Sequence, residues 1–236
     1  MDKNLENFPI RLKKNEKGGF FGIISKKDNQ GKWINKAMPI NVPKRVQEKA
    51  SLNKVIMIDG KLNPTAFIKD GERRYSFEIL IDDFKEFDIN KLQDNVKIRG
   101  FVQKQTSKSG KEFYTLSIRS ENLNEQKREK IQTTKDFVYN TIIVNAKKDV
   151  LDEMKKYEGK YIESEGFLNL NDYNNEVRMN YYVREIHEPS KEISDKEKEE
   201  YMYKDLQEVD TKDPKEKSEE VVKKEDEKEP EPEMEM

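Results

Sequence analysis

The chain has 236 residues, of which 40% are charged and only 33% hydrophobic; that is too polar for one compact globule of this length, so part of it is expected to stay unpacked. There is no cysteine, which excludes disulfides, thiolate zinc sites, iron–sulfur clusters and cysteine nucleophiles. The net charge of −2 hides a segregation: residues 205–236 hold 14 acidic residues and 6 lysines, a net of −8, which leaves +6 for residues 1–204 and favours a polyanionic partner for the body.

The opening MDKNLENFPI lacks the apolar core of a secretory signal. No apolar run approaches the ~20 residues a membrane span needs. The expectation is a soluble, cytoplasmic protein. The Lys, Asn, Ile and Glu richness points to an AT-rich genome such as that of a phage or mobile element.

Short runs of Val, Ile, Phe and Tyr alternate with polar residues between Gly, Asn, Asp and Lys turns, the pattern of a β-rich body. The first expected strand, 8–13, alternates Ile10 and Leu12 with Arg11 and Lys13. The second, 19–26, begins after two glycines with Phe20 and Phe21, one of which should face outward. The third, 32–42, starts at Trp33 beside Lys32. On a strand edge among lysines, Trp33 is a stacking candidate; a barrel-core tryptophan is the alternative. A weak helix is expected over 42–52. Strands 54–61 and 74–81 flank the KDGER turn, which carries Arg73, Arg74 and Tyr75.

In the second half, strands 96–104 and 112–120 flank the loop SKSGK, a hairpin signal. Alternation places Lys97, Arg99 and Phe101 on the outer face of the first. Tyr114, Leu116 and Ile118 form the core face of the second, with Phe113, Thr115, Ser117 and Arg119 outward. Lys104, Lys108 and Lys111 lie on or near the loop. Strand 137–145 and a helix over 148–159 follow; the helix gathers Val150, Leu151 and Met154 and stops at Gly159. Strands 160–169 and 176–186 flank NDYNN, with Tyr173 in the loop and Arg178 just beyond. From about Pro189 the chain is Lys/Glu-rich. A short helix is expected over 190–204, and disorder after it.

The two halves repeat. Lys54 and Lys160, Ile56 and Ile162, Gly60 and Gly166, Leu62 and Leu168, and Asn63 and Asn169 coincide at one offset. Each half reads three strands, a short helix, then two strands. That is the element order of an OB-fold, a small Greek-key barrel. The expected fold is therefore all-β with short helices: two tandem OB-fold barrels, 5–90 and 93–188, then an acidic tail over 189–236. An SH3-like barrel or two unrelated meanders are the alternatives.

Enzyme signatures are missing. No phosphate loop of the GxxxxGK[ST] type occurs, and a single histidine, His187, precludes histidine-based triads or zinc motifs. Asp82 and Asp83 follow a strand and read as a solvated strand end rather than a magnesium site. Glu163 and Glu165 share one strand side and read as water-facing. Neither catalysis nor a cofactor or metal is expected.

Binding signatures are stronger. Single strands are held by cations for phosphates and by aromatic faces for bases. Lys97, Arg99, Phe101, Phe113 and Arg119 on one outer face match that requirement. The competing reading has Phe101 and Phe113 packing on each other or beneath an interface.

The stretch LNKVIMIDGKLN, the later DGERRYSFEILIDDFKEF and the acidic tail resemble the bacterial and phage single-stranded DNA-binding proteins. The resemblance covers 51–87 best and 158–187 less well. It implies sequence-independent binding of single strands in DNA replication, recombination or repair, and a tail that recruits other DNA-processing proteins. The chain departs from that family by carrying two OB-folds, and by ending Glu-Met-Glu-Met without an apolar aromatic tip. An OB-fold protein-interaction module of a replication, conjugation or virion assembly, or an RNA-binding protein, fits the same pattern.

Overall fold

The structure is a computed structural model that describes residues 3–27, 30–48, 52–91, 94–120, 123–173 and 176–188. The acidic tail and the helix expected over 190–204 lie outside the described residues.

The first half comprises β1 (Leu5–Lys14), β2 (Phe20–Lys27), β3 (Trp33–Asn41), helix α1 (Lys44–Gln47), β4 (Val55–Lys69) and β5 (Glu72–Glu86). The second comprises β6 (Asn95–Thr106), β7 (Glu112–Arg119), α2 (Glu125–Lys130), β8 (Tyr139–Ala146), α3 (Lys148–Met154), β9 (Tyr161–Tyr173) and β10 (Glu176–His187). Strands β1, β2, β3, β5 and β4 pair in that order and close when β4 meets β1 again. Strands β6, β7, β8, β10 and β9 close in the same way. The ladders are antiparallel except β3–β5 and β8–β10, which are parallel. Five strands closed in this order, with a helix before the fourth, make an OB-fold, here twice in tandem.

Alternation builds each core. Ile10 and Leu12 of β1, Ile56 and Ile58 of β4 and Ile79 of β5 are at most 3% exposed. Val96, Ile98, Leu116, Ile162, Leu168 and Val183 do the same in the second barrel. Each such side chain contributes about 1.5–3 kcal/mol on burial. Met154 at the end of α3 is fully buried, with Val150, Leu151 and Tyr157 packed against the same core.

The glycine pair found in the sequence repeat has one physical cause in both barrels. A Cβ on Gly60 would lie 2.3 Å from the Leu80 carbonyl oxygen, and one on Gly166 would lie 2.0 Å from that of Tyr182. The backbones approach so closely that a hydrogen is all that fits. Gly60 pairs with Leu5 and Ile81; Gly166 pairs with Val96 and Val183. Leu5 and Val96 are therefore equivalent, and they also pair with each other where β1 meets β6. The barrels thus join through the same position of each repeat.

Several elements exceed their expected limits. Strands β4 and β5 run to Lys69 and from Glu72 to Glu86, beyond the expected 54–61 and 74–81. Pro64 lies inside β4, opposite Phe77. Past Gly60 the β4 ladders run to β5 alone, the one-sided setting in which a sheet tolerates proline. Helix α1 is only four residues long. Helix α2 was not expected: it buries no side chain, so it leaves no apolar period. Its one signal is the N-cap Asn124, whose side chain accepts from the Lys127 backbone N–H at 2.8 Å.

The long β4–β5 hairpin reaches the second barrel. Ala66 and Tyr75 pack with Leu123, Ile131 and Val138. Lys127 Nζ lies 2.6 Å from Glu78 Oε1. In return, Lys36 Nζ of β3 donates to the Val177 carbonyl of β10 at 2.6 Å.

Candidate nucleic-acid interface

The outer face of the first barrel opens into a groove of about 560 Å³. Alternation on β1, β2 and β3 presents Pro9, Arg11, Ile23, Ser25, Lys27, Trp33 and Asn35 to it, and Val55 closes the β4 side. Phe87 and Ile89, in the segment between the barrels, form the far wall. Trp33, Phe87 and Ile89 are 59%, 43% and 65% exposed, an unusual group of large apolar side chains in water. The Lys27 ammonium sits 5.3 Å from the Trp33 ring centre. Arg11 is exposed and Lys13 lies two residues along on the same strand face. Lys26 pairs with Asp94 at the groove floor. Burial pushes the Asp94 carboxyl up, and the Lys26 ammonium opposes it. Ser25 donates to Asn35 Oδ1 at 2.7 Å, tying β2 to β3 across the groove. The groove therefore offers apolar faces at its walls and cations at its rim.

The second barrel's face departs from expectation. Phe101 is on the outer side, as alternation requires, but it is 1% exposed. Tyr161 lies edge-on to it at 5.4 Å, and Tyr139 and Phe137 complete the cluster. Phe101 is thus no open stacking platform; Tyr161, Tyr139 and Phe137 of its own barrel cover it, rather than Phe113 or an interface as in the competing reading of the sequence. Thr115 and Ser117, also expected outward, are 4% and 0% exposed. Arg119 is half-buried, its guanidinium 4.1 Å from the Phe137 ring centre. Phe113 is half-buried next to the loop.

The expected cations of that face meet carboxylates. Arg99 Nε lies 2.6 Å from Glu163 Oε2, and Lys97 Nζ lies 4.0 Å from Glu165 Oε2. Register causes this, because Arg99 sits opposite Glu163 and Lys97 opposite Glu165. Lys104 pairs with Glu112 at 2.6 Å, and that carboxylate raises its ammonium above the usual lysine value. Lys108 and Lys111 are exposed in the β6–β7 loop.

Other expected binding residues are placed differently. Phe20 packs against the core with Lys14 4.7 Å from its ring, so Phe21 is the outward member of the pair. Arg73 donates from Nε to the Ile131 carbonyl at 2.9 Å and from Nη2 to that of Gln132, so it ties the barrels together. Tyr75 packs in the same junction. Arg74 lies 3.7 Å from Glu72, and Arg178 lies 3.9 Å from Glu176. The side chain of Tyr173 lies outside what is described. Asp82 faces Lys3 at 3.1 Å and Arg45 at 3.2 Å, and the Lys3 ammonium holds its carboxyl below the usual range. Sequence reasoning missed Lys27, Phe87 and Ile89. Exposed apolar residues in a linker were the available signal for the last two.

No family model matches the chain, and no curated protein matches it. Among solved structures, the chain is similar to the wild-type single-stranded DNA binding protein from Thermus aquaticus. Identity is 10%, the match covers 81% of this chain and 92% of that one, and the TM-score is 0.46. A deletion mutant of the same protein matches at 10% identity over 82% of this chain and 94% of that one, with a TM-score of 0.44. A small single-stranded DNA binding protein from Mycoplasma pneumoniae matches at 16% identity over 42% of this chain and 97% of that one, with a TM-score of 0.29.

Proposed function

We propose that this protein binds single-stranded DNA without regard to sequence, in DNA replication, recombination or repair. The observation that carries the reading is the first-barrel groove, where exposed Trp33 and Phe87 stand among Arg11 and Lys27, with Lys13 further along the same face of β1. Bases stack on aromatic faces at roughly 1–3 kcal/mol each, and cations take the phosphates. A duplex hides its base faces and gains only the second term. Lys108 and Lys111, exposed in the β6–β7 loop, add positive charge at the second barrel.

Trp33 is the only tryptophan, so its fluorescence reads the groove directly. Titration with an oligo-thymidine should quench it in a salt-sensitive manner, and an equal length of duplex should not. An undisturbed emission at low salt overturns the proposal. A ribose oligomer that binds as tightly as the deoxyribose one turns it into a general single-strand reading.

The acidic tail, at −8, competes with phosphates for the basic body and serves to recruit partners or regulate binding. Deleting residues 205–236 should tighten single-strand binding, most strongly at low salt. Equal affinities with and without the tail would rule out the competition.

A further inference from the structure

The ladders assign each position of one barrel to a position of the other. Arg11 pairs with Ile23 and Val55 as Phe101 pairs with Ser117 and Tyr161. Ser25 pairs with Asn35 as Arg119 pairs with Tyr139. Trp33 stands two residues before Asn35, as Phe137 stands two before Tyr139. The first-barrel groove and the second-barrel aromatic cluster are therefore the same site in two repeats.

Their contents differ. In the second barrel Phe101, Tyr139 and Tyr161 occupy the site and hide one another, with Phe101 1% and Tyr139 5% exposed. In the first barrel the matching residues are Arg11, Asn35 and Val55, none of which has a ring, and an open groove lies over them. The first barrel keeps an aromatic wall, in Trp33 and Phe87, but lacks the rings that would fill it.

We infer that the first barrel takes unstacked bases of the bound strand in this groove, while the second barrel's equivalent site is filled by its own Phe101, Tyr139 and Tyr161 and receives none. The inference rests on the proposed single-strand binding and adds that the two barrels are unequal. Planar bases occupy the first site in the way planar side chains occupy the second. Arg11 and Lys27 at the rim favour a nucleotide over a neutral aromatic peptide, because each base arrives with a phosphate. The strand then gains stacking from one barrel, and from the other only the charge of loop lysines.

Exchanging the contents tests this. Asn35→Tyr with Val55→Tyr fills the groove and leaves Trp33 in place as the reporter. Affinity for an oligo-thymidine, read by anisotropy of a labelled strand, should fall roughly tenfold, about one stacked base. The reciprocal Tyr139→Asn with Tyr161→Val should open a second groove and lengthen the strand occluded by each chain. This pair removes buried rings, so its fold is checked by a circular dichroism melt. If it does not fold, the filled variant alone decides. Wild-type quenching together with undiminished affinity in the filled variant overturns the inference and leaves single-strand binding intact. An unchanged occluded length in a folded opened variant overturns the claim about the second barrel. Absence of quenching in the wild type overturns both readings.

Discussion

The outer faces of the two barrels use the same strands in the same register, yet they present different surfaces. On the first, Trp33 is 59% exposed and Arg11 forms no ion pair among the described residues. On the second, Phe101 is 1% exposed and Arg99 meets Glu163 at 2.6 Å. The inward residues are buried apolar side chains in both, mostly aliphatic. A repeat constrained by closure keeps its core, since every strand must bury one face and the tight crossings admit only glycine. Its outer face carries no such constraint. One copy is a wall of packed rings and ion pairs, and the other is open.

The sharpest way to break this contrast is to truncate one ring on each face. Phe101→Ala removes a fully buried ring and should cost about 3–5 kcal/mol of folding stability. Single-strand affinity per folded molecule should hold. Trp33→Ala should leave stability within about 0.5 kcal/mol while weakening single-strand binding by roughly 1–3 kcal/mol. Denaturant melts and oligo-thymidine titrations of both variants give the four numbers. If Phe101→Ala melts like the wild type but loses affinity, the buried cluster is a binding surface and the contrast fails.

The shared scaffold can be tested separately. Gly60→Ala and Gly166→Ala each force a methyl against a carbonyl oxygen, at 2.3 Å and 2.0 Å. Both should destabilise by about 1–3 kcal/mol, and by similar amounts. A large penalty at one site and none at the other would show that the barrels do not close in the same way, and the residue equivalences drawn from the ladders would need revision.

Much of this architecture was legible in the sequence because alternation and turn chemistry are local. Ile10, Leu12, Leu116 and Ile118 announce their inward faces, and Gly60 and Gly166 announce a repeat. What covers an outward residue is not local. Alternation put Phe101 on the correct side, but the rings that bury it come from Tyr139 and Tyr161, on strands far along the chain. Glu163 and Glu165 were visible as a same-side pair; only the β6–β9 register reveals that Arg99 and Lys97 face them. Arg73 and Tyr75 read as a free hairpin tip because nothing nearby in sequence tells that the hairpin reaches Ile131 and Val138. Trp33 was legible because its neighbours are polar, and the structure adds Phe87 and Ile89 from a linker that no strand pattern covered.

The smallest expected effect concerns charge, and it separates the faces most finely. A cation that meets phosphate releases counterions, and the salt dependence of single-strand binding falls by about 0.7 in slope for each cation taken away from a phosphate. Arg11 stands at the groove rim with no carboxylate paired to it among the described residues, so Arg11→Ala should reduce the slope by about that amount. Arg99 and Glu163 together carry no net charge, and an exposed pair of this kind contributes only about 0.2–1 kcal/mol to stability. The double variant Arg99→Ala with Glu163→Ala should therefore leave both the slope and the fold nearly unchanged. Glu163→Ala alone removes one carboxylate beside the Arg99 guanidinium and should steepen the slope if the bound strand passes the second barrel. A double variant whose slope drops as far as that of Arg11→Ala would mean that Arg99 leaves its carboxylate for phosphate when DNA binds. The second face would then be a binding surface closed only in the free protein.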